Sequence, residues 1–190
     1  EARALAIKAA KDKINQQKAY NEDIALAPFV LAELNKFSTE QYKKQVEIAE
    51  YITANENSGL ESILSYLTQQ IADMPEPATQ EDKLILSDLK KTVSNVKYAL
   101  KIQNKYYANG VIEPDADAVQ RAQDMPTDSI KQTIARKMAV NQAVKERSNY
   151  KHAVKPFVDA KKLIIQQDAY KCMDELVERY NSLDLQTINA

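Results

Sequence analysis

The stretch Thr79–Gly110, TQEDKLILSDLKKTVSNVKYALKIQNKYYANG, decides the fold class. Thr79 followed three residues later by Asp82 approximates a capping motif. Glu81 and Asp82 sit where the positive end of a helix dipole favours acids. Beyond them Leu86, Leu89, Val93, Val96, Leu100 and Tyr107 fall at alternating steps of three and four, skipping Gln103. That is the heptad-like seam of one long amphipathic helix. Asn109 and Gly110 close it as a stop signal.

Outward from this segment the same reading recurs. Upstream, Leu60, Ile63, Leu64, Leu67 and Ile71 share one helical face, with Ser58 and Glu61 at capping-box spacing. Met74-Pro75-Glu76-Pro77 forces extended backbone between the two helices. Further back, Ser38 with Gln41 reads as a capping box for a helix to about Ala54 that buries Tyr42, Val46, Ala49 and Ile52. Residues 2–22 read as a helix rich in Ala, Lys and Gln, with Ile7, Ala10, Ile14 and Ile24 roughly on one side, and Pro28 starts a short helix to Phe37. Downstream, 115–123 reads as a short acidic helix, and 128–183 is almost continuously helical. Its early apolar anchors are Ile130, Ile134, Val140 and Val144; its later ones are Ile165, Ala169, Cys172, Leu176, Tyr180 and Leu183. Pro156 divides it into two helices meeting near Lys155, or marks a bend in one.

No run alternates at period two, and no segment rich in Val, Ile and Thr is bounded by turns. The expected fold is all-α: an elongated bundle of six or seven helices ending in a long helix or helix pair kinked at Pro156. The 190 residues read as a single domain, with a soft boundary near 74–79. Pro28-Phe29-Val30-x-Ala32 recurs as Pro156-Phe157-Val158-x-Ala160, an echo that ordinary helix-start chemistry explains without a duplication.

Composition narrows the chemistry. Two glycines stand where average usage would supply roughly thirteen. Neither GxxxxGK[ST] nor GxGxxG occurs, so the phosphate-cradling loops are missing. One histidine, His152, and one cysteine, Cys172, cannot assemble a His/Cys zinc site within one chain. His152 lies among Lys151, Lys155 and Pro156, an exposed basic neighbourhood, and Cys172 reads as a small buried apolar residue. The Glu-x-x-His signature of a di-metal bundle fails, because Asn149 stands three before His152. The acid pairs Glu47/Glu50 and Asp174/Glu178 belong to solvent-facing stripes. No catalytic, cofactor or metal residue is assigned, and the expectation is a protein that is not an enzyme.

The longest uncharged apolar-leaning run, 24–32, is well short of the ~20 residues of a membrane helix, so no membrane span is expected. A lone cysteine forms no intramolecular disulfide, which suits a soluble protein of a reducing compartment. Beginning at Glu1 rather than Met, the chain reads as a processed or trimmed product, with room for a removed signal.

Net charge is −1 but unevenly spread. Residues 45–82 hold eight acids and no Lys or Arg, whereas 89–112 hold five lysines and no acid. Residues 128–171 hold ten basic side chains against four acids. Either the acidic and basic helices are neighbours that set each other's register, or a basic face meets an external anion.

The first functional expectation is a structural or adaptor protein acting through helix-mediated contacts with a protein partner or another copy of itself, as part of an assembly such as a virion or secretion apparatus. Its candidate seam is Leu86, Leu89, Val93, Val96, Leu100 and Tyr107. The alternative is a nucleic-acid-binding module using basic helices 89–105 and 131–162, with Lys90, Lys97, Lys101, Lys105, Arg136, Lys137, Arg147, Lys151 and Lys155, beside Tyr98 and Tyr106 as stacking groups. The third is an enzyme with a carboxylate-based site.

Overall fold

The structure is a computed structural model that describes residues 8, 11–15, 18, 32 and 35–188, with side chains to 175. The readings at Ile7, Ala10, Ile24 and Pro28, the first copy of the Pro-Phe-Val echo, and the anchors Leu176, Tyr180 and Leu183 fall outside the described residues or side chains. Helix follows helix, with no strand among the described residues: the fold is all-α. The elements are α1 (Glu40–Ala54), a 3-10 turn (Glu56–Ser58), α2 (Gly59–Ala72), α3 (Gln80–Tyr106), α4 (Ala118–Gln123) and α5 (Ile130–Ile188). The chain forms two compact units, one of 1–43 with 167–190 and one of 44–166. Residues 74–79 are a loop inside the second unit, joining two helices packed on each other.

Local chemistry explains where the helices start. The α3 capping box is complete: the Asp82 amide donates to Thr79 Oγ1 at 3.0 Å, and the Thr79 amide donates to Asp82 Oδ2 at 2.8 Å. These bonds hold the Asp82 carboxyl below the usual carboxylate range. Two other caps differ from expectation. For α1 the capping oxygen is Thr39 Oγ1, which accepts from the Tyr42 amide at 3.2 Å. Ser38 instead donates to the Asn35 carbonyl, because it lies one residue outside capping register. Ser58 caps nothing: it has helical dihedrals inside the 3-10 turn, and a capping hydroxyl requires an extended residue. Gly59 then enters α2 at φ 82, a conformation that side chains with a Cβ resist.

The second unit has one core. Ile48, Ala49 and Ile52 of α1, Leu60, Ile63 and Leu67 of α2, Leu89, Val93, Val96 and Ala99 of α3, and Phe157 and Ala160 of α5 form a single buried cluster. Tyr51 and Tyr66 stack across α1 and α2 with centroids 3.5 Å apart and planes within 12°. Lys44 ties the same pair, donating to Glu47 at 2.8 Å and to Gln70 at 2.9 Å. In the first unit Phe37, Tyr42 and Tyr170 form an aromatic triangle with centroids 5.7 to 6.0 Å apart.

α5 is one helix running through Pro156, not two. Proline removes the bond to the His152 carbonyl and crowds that turn, at about 3 kcal/mol in an ordinary helix interior. Here Pro156 is buried in the second unit. One turn before it, the Ala153 carbonyl accepts a hydrogen bond from Gln103 Nε2 of α3 at 3.0 Å. Gln103, the residue that interrupts the apolar seam, is therefore the polar contact between α3 and the proline turn.

Candidate interaction surfaces

The Leu86–Tyr107 seam is spent inside the chain. Leu89, Val93 and Val96 are buried among α2 residues, and Leu86, Leu100 and Tyr107 are half-buried. Intramolecular packing thus occupies the apolar surface that the sequence offers most clearly to a partner.

An apolar row elsewhere lies open. Ile130 is 82% exposed, Ile134 55% and Met138 67%, at successive steps of four along α5, with Val144 at 52% nearby. Ile130, Ile134 and Val144 are expected from sequence as core anchors; in the structure they are not. The buried face of α5 in the second unit is carried by Ala143, Ala153, Phe157 and Ala160. Ile134 lies nine residues before Ala143, about two and a half turns, which turns it to the opposite side of the helix. Cys172 is likewise exposed rather than buried. Tyr170 is the buried residue of that turn, and a position two residues on points about 200° away from it.

The basic residues split by environment. Lys90, Lys97, Lys101 and Lys105 of α3 are exposed, as are Lys137, Arg147, Lys151 and Lys155 of α5, while Arg136 is half-buried. Lys155 pairs with Asp159 at 2.6 Å. Lys161 pairs with Glu56 at 2.7 Å, joining the acidic 45–82 segment to a basic helix. Both partners are about half exposed, so such a pair adds little to stability.

α3 and α5 run antiparallel, since rising α3 numbers meet falling α5 numbers. Asp88 and Asp159 line one hollow, Tyr98 meets His152 edge-on at 5.3 Å, and Tyr106 meets Lys145. That register brings together residues 39 apart: the ammonium groups of Lys105 and Lys145 lie 5.2 Å and 5.9 Å from the Tyr106 ring centroid. Lys145 is not singled out by the sequence reading, because nothing local to it signals the end of α3. The three residues line a hollow of about 600 Å³ with Tyr107, the loop 108–114 and Glu146. Burial, then the charges of Glu146 and Tyr150, raises the Tyr107 phenol above its usual value.

A second hollow of about 230 Å³ lies between α1, α3 and α5, with Ile48, Ile52, Pro156 and Leu163 as apolar floor. Gln45 bridges its rim by donating to Asp88. Among the described residues no three His, Cys, Asp or Glu side chains converge as a metal-binding group. No helix among them is long and apolar enough to cross a membrane. Glu47 and Glu50 are exposed, as is Asp174. No family model matches the chain, and no curated protein or solved structure does either.

Proposed function

We propose that this protein works by helix-mediated contact with another protein chain, through the open apolar row of α5. The observation that carries this reading is the row itself: Ile130, Ile134 and Met138, each more than half exposed, at one spacing on one helix. Burying such a side chain gains about 1.5–3 kcal/mol, so three in register are a substantial drive toward a matching groove. Scattered exposed apolar residues need no explanation, but a contiguous row is what interaction sites present. The residues carry no acid–base or nucleophilic chemistry, in keeping with a structural or adaptor role.

Light scattering coupled to size exclusion tests it, with the protein alone across a concentration series and with candidate partners. The expected result is a species heavier than the 21.5 kDa chain. The double variant Ile134→Ser/Met138→Ser, with unchanged far-UV circular dichroism, should return it to the monomer mass. Association that persists undiminished in the variant overturns the assignment to this row, and monomeric behaviour throughout overturns the reading.

A further inference from the structure

We propose that the face shared by α3 and α5 binds single-stranded nucleic acid, with phosphates on Lys101, Lys105 and Lys145 and bases stacked on Tyr98 and Tyr106. This goes beyond the protein-contact reading and uses different residues.

The first support is a stripe. Lys91, Ser94, Tyr98, Lys101 and Lys105 succeed one another at alternating steps of three and four, so they form one line along α3. All five are exposed. No acid occurs anywhere in 89–112, so the line carries no carboxylate of its own.

The second is the state of the lysines. Lys155 and Lys161 have carboxylate partners, whereas Lys91, Lys101, Lys105 and Lys145 make no ion pair among the described residues. Their charge is available to an external anion. Lys105 and Lys145 come from different helices yet converge on one tyrosine ring, which offers its negative face to both. A phosphate between them would relieve the repulsion that the ring only moderates.

The third is the pair of aromatic groups. Tyr98 is 49% exposed and Tyr106 40%, so each has a face open to solvent. His152 meets Tyr98 edge-on, and the ammonium groups of two lysines lie beside the Tyr106 ring. The rings are eight residues apart, about 12 Å along the helix axis. A strand rising about 3.4 Å per nucleotide covers that in three to four nucleotides. A line of positive charge interleaved with aromatic faces is the arrangement that holds single strands without reading sequence. Paired bases have no open face to give the rings, so a duplex gains only the charge. Asp159, paired with Lys155, bounds the path at one end, and Glu113 and Glu146 bound it beyond Tyr106.

The experiment is fluorescence anisotropy of the full chain with a labelled oligothymidylate of about twelve nucleotides, within the span of a compact single-strand site. Binding should weaken with salt, at a log–log slope of about −2 for three phosphate contacts. Lys105→Gln/Lys145→Gln should bring that slope to about −0.7 and weaken binding at low salt. Tyr98→Ala and Tyr106→Ala should each weaken binding about 5- to 150-fold at constant slope, while Tyr98→Phe and Tyr106→Phe keep it. A duplex of the same length should bind more weakly than the single strand. All four positions are exposed, so circular dichroism should be unchanged. The variant Ile134→Ser/Met138→Ser should bind the oligonucleotide as the parent does, which separates this surface from the protein-contact row. Absence of binding at low salt overturns the proposal. So does a polyglutamate competitor as strong as the oligonucleotide together with indifferent tyrosine variants, which would assign the face to acidic protein.

Discussion

Replacing Tyr42 with Phe should stabilise the protein, against the usual direction of core substitutions. Tyr42 is only 4% exposed, and its hydroxyl is enclosed with no hydrogen-bond partner. Leaving a hydroxyl in that state costs about 1–3 kcal/mol relative to hydrating it in the unfolded chain. Phe keeps the ring, its edge contact with Phe37 and its tilted contact with Tyr170. What it gives up is the volume of one oxygen, on the order of 10–15 Å³, worth about 0.3 kcal/mol at 24 cal/mol per Å³ of void. The net gain is about 0.7–2.7 kcal/mol, a rise in Tm of about 1–11 °C for a chain of this size. There is no tryptophan, so urea unfolding is followed by tyrosine emission together with far-UV circular dichroism, and their coincidence checks for a single transition. The exposed Tyr98→Phe is the control and should move stability by less than about 0.5 kcal/mol. The alkaline limb adds a second reading. Burial, with the neighbouring Tyr170 adding to it, raises the Tyr42 phenol above 10.0 in the folded state. Its contribution is thus fully present below pH 10.0 and is lost as pH rises through the folded value. Tyr42→Phe should flatten that loss, leaving the slope due to Tyr66 and Tyr107, whose phenols are also raised. A variant less stable than the parent by more than about 0.5 kcal/mol would refute the argument, since it would mean the hydroxyl has a partner.

Three further substitutions probe other layers of the fold. Leu67, with no exposed surface, should cost about 2.7–5 kcal/mol when truncated to Ala, read as a lower urea midpoint at unchanged m-value. Gly59→Ala should destabilise by about 1–3 kcal/mol although nothing lies within 4 Å of the added Cβ, because φ 82 with ψ 161 is glycine's territory; a neutral effect by thermal denaturation would contradict that backbone. Thr79→Ala should cost about 1 kcal/mol by chemical denaturation. Asp82, whose carboxyl is lowered by its bonds to Thr79, contributes stability above its unfolded value of 3.8, and this is lost as pH falls through the folded one. The acid limb should therefore be shallower in Asp82→Asn, and an unchanged limb would count against the capping box.

Local signals proved readable where both partners lie within one turn. Thr79 and Asp82 are three residues apart, and their reciprocal bonds need nothing from the rest of the chain. The Ser38 reading missed by one residue because two adjacent hydroxyls, Ser38 and Thr39, compete for one cap, and backbone dihedrals choose between them. Gln103 was visible only as a gap in a seam; its meaning depends on Ala153, fifty residues away. Lys145 and Tyr106 are likewise brought together by the antiparallel register of α3 and α5.

The sequence by itself determined that the chain is helical and roughly where its helices run, since periodicity and capping are properties of consecutive residues; it did not determine the buried side of α5. The tertiary structure alone decided which apolar sides find cover. The α3 seam and the Ile130–Met138 row are both apolar at helical spacing, yet Leu89 is fully buried and Ile130 is 82% exposed. Helical periodicity says where a face points. Whether another helix arrives to cover it is settled by distant parts of the chain, and α2 covers one face while the other stays open.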